Sequence, residues 1–479
     1  MFQWNKLLCD DRHRPTVRQV GEVRTEIARD YGRAVFATPV RRLQDKAQVF
    51  PLEPIDAVRT RLTHSLEVSA VARDLAHAVA ARLVDEGEIN PQQAYEIESI
   101  AATVGLIHDI GNPPFGHAGE QAIQGWFKAH PEVFKKFPPL RRSKLSADFL
   151  EFEGNAQTIR LLAKLQILSD RSGLNLTYAT LSAACKYTAN STQAGKPKHY
   201  HDRSKPGYFA SEQELISAIR KRTGTGYARH PITFLVEASD DIVYSLVDIE
   251  DGVKKGVVSW GDHQKQGAAN SPVHTRCAQS GEIRAILDLN KAVIGQKLLA
   301  DTAGKAEKRI DGSSLKLTGR NRDEAITQYF RTLVIGKAVA AVADEFFARY
   351  NDIMTGRYHG ELIVDAQRVS GLYKVLKEEI GRKYVYPAKE NLRLELLGRN
   401  VIHQLISLFY DADPDARTRK FSGKAYHLLS QNYRTVFDTP DEHEAKLPTE
   451  YRRLQLITDY ICGMTDSFAI NLHQELFHG

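Results

Sequence analysis

Cysteine is scarce in this sequence: Cys9, Cys185, Cys277 and Cys462 are the only four in 479 residues, and no two form a Cys-x-x-Cys pair. That spacing excludes a disulfide framework and a zinc knuckle. No apolar run approaches the roughly 18 residues that a membrane helix needs. The opening segment, MFQWNKLLCDDRHRPT, carries charges where an export signal has its apolar stretch, so the expected location is the cytoplasm. Internal repeats, sustained heptads, low-complexity tracts and Pro/Gly-rich linkers are all missing, which excludes solenoids, long coiled coils and a bead-on-string domain arrangement. What remains has the composition of an ordered globular protein, with 42% hydrophobic and 26% charged residues. The net charge of +6 suits either a solvated surface or a polyanionic ligand such as a nucleoside triphosphate or nucleic acid. Composition does not choose between them.

Strand-like alternation is also scarce, confined to short stretches such as Lys383 to Tyr386. The expected fold class is therefore all-α, a helical core with helical elaborations and a few short strands. From His64 to Asp85, Val68, Val71, Leu75 and Val79 recur at three- and four-residue steps, the mark of an amphipathic helix. Ile97 to Ile107 reads as a more apolar helix that stops at the breaker Gly111-Asn112-Pro113-Pro114. Further helices are expected at 156–169, 176–188, 232–251, 324–350, 390–411 and 450–475, with Pro231 at a favoured first position. Asn190 to Gly207 is polar, basic and rich in breakers; it and Lys254 to Gly281 read as surface loops or insertions. The expected division is a core over 30–260, with the basic insertion at 190–210, followed by a mainly helical region over 261–479. That second region would supply a pocket wall, an oligomer contact or a regulatory surface.

The most informative stretch is GLIHDIGNPPFGHAGE, residues 105–120, in which an apolar helix delivers His108 and Asp109 at a chain break. Imidazole and carboxylate are the donors that bind divalent ions in hydrolytic sites. A lone His-Asp pair is usually structural, and two other features raise its weight. His64 opens the apolar stripe, so its ring should face inward. In the segment EASDDIVYSLVDIED, Asp240, Tyr244 and Asp248 recur every four residues along one helix face. Carboxylates stacked in that way repel one another unless a cation or hydrogen-bond donors offset them. Asp241 rivals Asp240 as a ligand, although only Asp240 gives the Asp-xxx-Tyr-xxx-Asp register.

A His, then a His-Asp pair, then a distant Asp resembles the HD phosphohydrolase superfamily, and RRLQDKAQVF, RTRLTHSLEV, FEGNAQTIRLL and EASDDIVYSLVDIEDG narrow the likeness. Together these blocks resemble the dNTP triphosphohydrolases, bacterial dGTP triphosphohydrolases in particular, over about residues 30 to 260. The resemblance implies hydrolysis of dGTP or another dNTP to a deoxynucleoside and inorganic triphosphate. It implies a divalent metal held by His64, His108, Asp109 and Asp240, with Mn²⁺ or Mg²⁺ foremost and Fe²⁺, Co²⁺ or Zn²⁺ also accepted. His117 matches the catalytic histidine and Glu120 the carboxylate that orients it. Arg61 matches a triphosphate contact, Gln48 a reader of the sugar 3′-hydroxyl, and Lys186 and Tyr187 a pair that binds phosphate and flanks the sugar. Tyr244 would lie against the deoxyribose, and Asp248 would accept from the 3′-hydroxyl. The likeness also implies a homo-oligomer, tetramer or hexamer, with allosteric sites and a response to single-stranded DNA. Asn155 reads equally well as a helix cap.

Two other classes fit some of these residues. A 5′-nucleotidase or cyclic-nucleotide phosphodiesterase would share the ligands, but not the Asp240/Tyr244/Asp248 ladder or the His117/Glu120 pair. A non-catalytic nucleic-acid-binding regulator would use the basic loop with Lys196, Lys198, Arg203 and Lys205, but would have no need to keep a full ligand set.

Overall fold

The computed structural model describes residues 1–16, 21–50, 52, 55–166, 172–197, 200–261, 278–413, 415 and 420–478. Within these, helices make the fold, and the site grows from the first two long ones. Thr60 starts the helix Arg61–Asp85 with a reciprocal cap: its hydroxyl accepts from the Thr63 amide, and the Thr63 hydroxyl accepts from the Thr60 amide. Asn90 and Gln93 repeat the device for Pro91–Ile107, which carries Pro91 in its first turn. This helix starts six residues before the expected Ile97, because its polar opening, PQQAYE, hides the apolar period. The stripe Val68, Val71, Leu75 and Val79 is buried as its spacing predicts.

These two helices approach unusually closely at one point. A Cβ on Gly105 would lie 2.8 Å from the Ser69 Cα, so no larger residue fits there. The Ser69 hydroxyl donates to the Ala102 carbonyl at 2.7 Å across the same contact. The helix Pro231–Lys254 packs against both. The helices Arg61–Asp85, Pro231–Lys254 and Gly319–Ala348 share one apolar core. Gly116–Ala129, Gly154–Arg160, Lys389–Tyr410 and Thr449–Cys462 share another. Pro91–Ile107 supplies residues to both cores, and His108 and Asp109 stand at its end.

Several expected elements differ in detail. Lys383 to Tyr386, read as strand-like, lies at the end of a wide helical turn, Val375–Val385. The expected 450–475 helix is two, Thr449–Cys462 and Asp466–Phe477, because Thr465 caps the second by accepting from the Phe468 amide. Gly154–Arg160 continues as a wide turn over Leu161–Leu165, and Tyr178–Ala184 is shorter than expected. The basic segment is closed by two short parallel strands, Ala189–Asn190 and Pro206–Tyr208. Lys198, Cys277 and most of the second loop lie outside the described residues. No helix among the described residues is long and apolar enough to cross a membrane.

Arg160 joins the second core to the C-terminal helices through a buried charge cluster. Its guanidinium grips Asp459 with two nitrogens, at 2.7 and 2.8 Å, and reaches Glu212 at 3.0 Å and Glu444 at 3.3 Å. Lys164 adds a second cation, 3.1 Å from Glu444. Such clusters are weak evidence of net stability, but removing one partner strands the rest in low dielectric. Arg160→Leu should therefore lower unfolding free energy by ~3–5 kcal/mol in denaturant titration. Arg24→Ala, at the exposed pair with Glu22, should leave the midpoint unchanged.

Candidate active site

Four side chains from three helices meet where Arg61–Asp85, Pro91–Ile107 and Pro231–Lys254 converge. His64, in the first turn of its helix, is buried, and its Nε2 lies 3.1 Å from Asp240 Oδ1. His108 Nδ1 donates to the Gly105 carbonyl at 2.8 Å, which leaves Nε2 with the ring's lone pair. That Nε2 is buried, has no hydrogen-bond partner among the described residues, and faces Asp109 Oδ1 and Asp240 Oδ1 at 3.6 Å each. An acceptor opposed by two carboxylate oxygens is repulsive unless a cation or proton sits between them. His64, His108 and Asp109 can each aim one donor atom within 4.8 Å of the others, and Asp240 stands within reach of both rings. The donor set, two imidazoles and two carboxylates, is one that divalent transition ions and Mg²⁺ accept.

Arg61, Lys186 and the two histidines keep these carboxylates ionised. Burial opposes the charge on Asp109, but Arg61, His108 and His64 outweigh it and hold the carboxyl well below the usual range. Asp240 is likewise opposed by burial and brought to about 2 by His108, the His64 hydrogen bond and Lys186. Asp241 behaves in the opposite way: burial, only partly offset by Lys186, pushes it up to about 8. It lines a neighbouring cavity, while Asp240 faces the histidines.

His117 stands in the first turn of Gly116–Ala129, with Nδ1 2.8 Å from Glu120 Oε2. The other Glu120 oxygen accepts from the Gly154 amide at 2.7 Å. A Cβ on Gly154 would lie 2.2 Å from Asn112 Oδ1 and 2.7 Å from Glu120 Oε1, so a larger residue would displace the carboxylate. The Glu120 hydrogen bond raises the His117 pKa, with burial opposing. The His117 ring is largely exposed and Glu120 is buried, so the pair presents a titratable imidazole on a fixed carboxylate.

Cations ring this centre. Arg61 pairs with Asp109 and donates through Nε to the Ala47 carbonyl at 3.1 Å. Lys186 Nζ sits 3.9 Å from both Asp240 Oδ2 and Glu237 Oε1. Glu237 is held in turn by Arg229 at 2.6 Å and His201 at 3.1 Å. His201, Glu237 and Glu361 also lie close enough to hold an ion, but Arg229 and Lys186 already neutralise that group. Tyr187 is buried beside His201.

The residues expected from the sequence to meet a sugar have open hydrogen-bonding capacity. Gln48 Oε1 and Asp248 Oδ1 are buried with no partner among the described residues, while Asp248 Oδ2 accepts from the Tyr386 hydroxyl at 3.1 Å. Burial pushes Asp248 up to about 8. The Tyr244 ring lies under the Lys377 ammonium, 5.4 Å from its centroid.

Two residues enter the site, one that the sequence left open and one that it placed in a surface loop. Asn155 caps nothing: it donates to Glu153 at 2.7 Å and lines a small cavity with His108, Lys186 and Asp240. Lys205, part of the basic loop, pairs with Glu153 at 3.0 Å, and its charge acts on His117 and Tyr187. The signal that could have found it is the return of the chain through Pro206–Tyr208, two short segments pairing across a breaker-rich loop.

The HD domain model matches residues 61–161, and the phosphohydrolase-associated domain model matches residues 367–475. The chain is 34% identical, over 491 aligned positions, to the deoxyguanosinetriphosphate triphosphohydrolase-like proteins of Listeria monocytogenes and Listeria innocua, with 99% of this chain and 99% of each relative covered. The chain belongs to the HD-domain dNTP triphosphohydrolase family. Within this phosphohydrolase, the HD match holds His64, His108, Asp109, His117 and Glu120, while Asp240 lies beyond it.

The associated domain of this HD phosphohydrolase grips the loop between His108 and His117. Asp466 accepts from the Phe115 amide at 2.9 Å and from the Ala47 amide at 3.0 Å. Lys46 is buried and donates to the Asn112 and Cys462 carbonyls at 2.6 and 2.8 Å; burial lowers its pKa to about 8. Phe115 adopts φ 64°, a left-handed conformation that a non-glycine residue holds only under constraint. Its ring packs so tightly on Gly398 that a Cβ there would fall 2.5 Å from it. Asp466→Ala should leave the Phe115 and Ala47 amides without acceptors, at about 1–3 kcal/mol each. Hydrogen exchange should show both amides losing protection while those of Val68 to Val79 keep theirs.

Proposed function

We propose that the chain hydrolyses dNTPs, dGTP foremost, to deoxynucleoside and inorganic triphosphate, with a divalent metal held by His64, His108, Asp109 and Asp240. The observation that carries the reading is the buried His108 lone pair facing two carboxylate oxygens at 3.6 Å, with the His117–Glu120 pair in the same HD match. The relatives' own description, deoxyguanosinetriphosphate triphosphohydrolase-like, supports the substrate. A divalent ion bound there would supply Lewis acidity at the α-phosphate and a water of lowered pKa.

The remaining work falls to side chains. Arg61, Lys186 and Lys205 offset charge on the phosphates. Tyr244, Gln48 and Asp248 orient the sugar, with the unpaired oxygens of the last two open to its hydroxyl. Cleavage at the α-phosphate leaves a 5′-alkoxide, which His117 protonates, and Glu120 fixes the ring that does so. This division of labour yields intact triphosphate.

Product analysis tests the reaction: deoxynucleoside and triphosphate are expected, and pyrophosphate would refute it. His64→Ala and Asp109→Ala should lose metal binding by calorimetry, whereas His117→Ala should bind metal normally and turn over about 10²–10⁴-fold more slowly. A general acid works while protonated, and Glu120 raises the His117 pKa. Glu120→Gln should therefore move the alkaline limb of kcat to lower pH. An unmoved limb would remove His117 from that role.

A further inference from the structure

Between Lys128 and Lys144 the chain holds six lysines and arginines against one acid, Glu132, in a protein whose whole net charge is +6. Among the described residues only Lys136 of the six pairs with a carboxylate, Glu450 at 3.5 Å. The segment KKFPPLRRSK, residues 135–144, gives this charge a shape. Phe134 and Phe137 are buried in the second core with their rings 5.5 Å apart, and Leu145 enters the same core beyond the turn. Arg142 closes the turn at its base by donating to the Lys135 and Phe137 carbonyls at 3.0 and 3.4 Å. Between these anchors Pro138, Pro139 and Leu140 face solvent, and Leu140 is 100% exposed. The two prolines stiffen the backbone that presents it. Exposed leucines are common singly, but this one stands at the apex of an anchored turn ringed by cations.

We propose that this tip rests on a bilayer bearing anionic phospholipid, with Leu140 entering the acyl boundary and Lys135, Lys136, Arg141 and Lys144 meeting the head-group phosphates. One apolar side chain holds a protein weakly, and so do a few cations; together they give a reversible, salt-sensitive attachment. Single-stranded nucleic acid fits the tip less well, because such sites stack bases on exposed rings, and Phe134 and Phe137 are buried. The contact lies on the membrane surface and needs no spanning helix. The tip follows the end of Gly116–Ala129, whose first turn carries His117; these 14 helical residues set Ala129 roughly 20 Å from that histidine. Attachment there leaves the candidate active site open to soluble nucleotides, and it does not depend on the reaction proposed above.

The test is sedimentation of the full chain with vesicles of phosphatidylcholine alone and with vesicles that also contain phosphatidylglycerol. Binding is expected only to the second kind, and it should fall as salt is raised. Arg141→Ala should weaken it about fivefold, the loss of one cation at an anionic surface. Leu140→Ser should weaken it about tenfold. Both positions are exposed, so neither change should move the thermal midpoint. Leu140→Trp reads insertion directly: Trp4, Trp126 and Trp260 are buried, so the added indole should dominate a blue shift on anionic vesicles. If wild type ignores anionic vesicles, if both weakening variants bind as wild type does, or if the indole emission stays unshifted on bound vesicles, the proposal is refuted. Binding of an acidic peptide or single-stranded DNA through Arg141, with vesicles ignored, assigns the tip to that polymer and overturns the lipid reading.

Discussion

The structure depends on a local repulsion that it is built to hold. Two aspartates and two histidines are pressed together in a site where burial alone would protonate the acids and separate the rings. They stay together because three of the four are fixed by something outside the cluster. The Gly105 carbonyl sets the tautomer of His108, Arg61 secures Asp109, and Lys186 stands behind Asp240. The close approach of two helices at Gly105 and Ser69 brings the rings within 5.5 Å of each other. The uncompensated negative charge in the middle is what a divalent ion would relieve.

The C-terminal region is part of the same device. Its helices cover the second core, and three polar contacts carry that packing to the site. Arg160 ties Thr449–Cys462 to the helix after Gly154, whose amide holds Glu120. Lys46 ties the end of the same helix to the Asn112 carbonyl, and Asp466 holds the Phe115 turn. The loop from His108 to His117 is thus clamped by residues outside the metal cluster. A phosphohydrolase built in this way needs its associated domain for geometry as well as for bulk.

Much of the site was legible in the sequence because helical period and chain breaks are local. His64 at the head of an apolar stripe, His108-Asp109 at a helix end, and the four-residue ladder all show in the spacing, and the structure brings His64, His108, Asp109 and Asp240 together. The Thr449–Phe477 break was hidden, since Gly463 and Thr465 interrupt the backbone but not the apolar period. Tyr386 was hidden because a wide helical turn mimics strand alternation over four residues. Asp466 could not be read at all: it acts on the Phe115 and Ala47 amides, distant in the chain, and a single sequence carries no record of such partners.

The parallel pairing of Ala189–Asn190 with Pro206–Tyr208 has a consequence for how this protein can change. It staples both ends of the basic segment, and the return limb is held as well: Asp202 is buried, His201 reaches Glu237 at 3.1 Å, and Lys205 stays at its post against Glu153. Among the described residues, the stretch from Thr192 to Pro197 is the exposed part. Because closure entropy grows only with the logarithm of loop length, residues can be added or lost in that stretch at small thermodynamic cost, and a fluorescent label can be spliced in there.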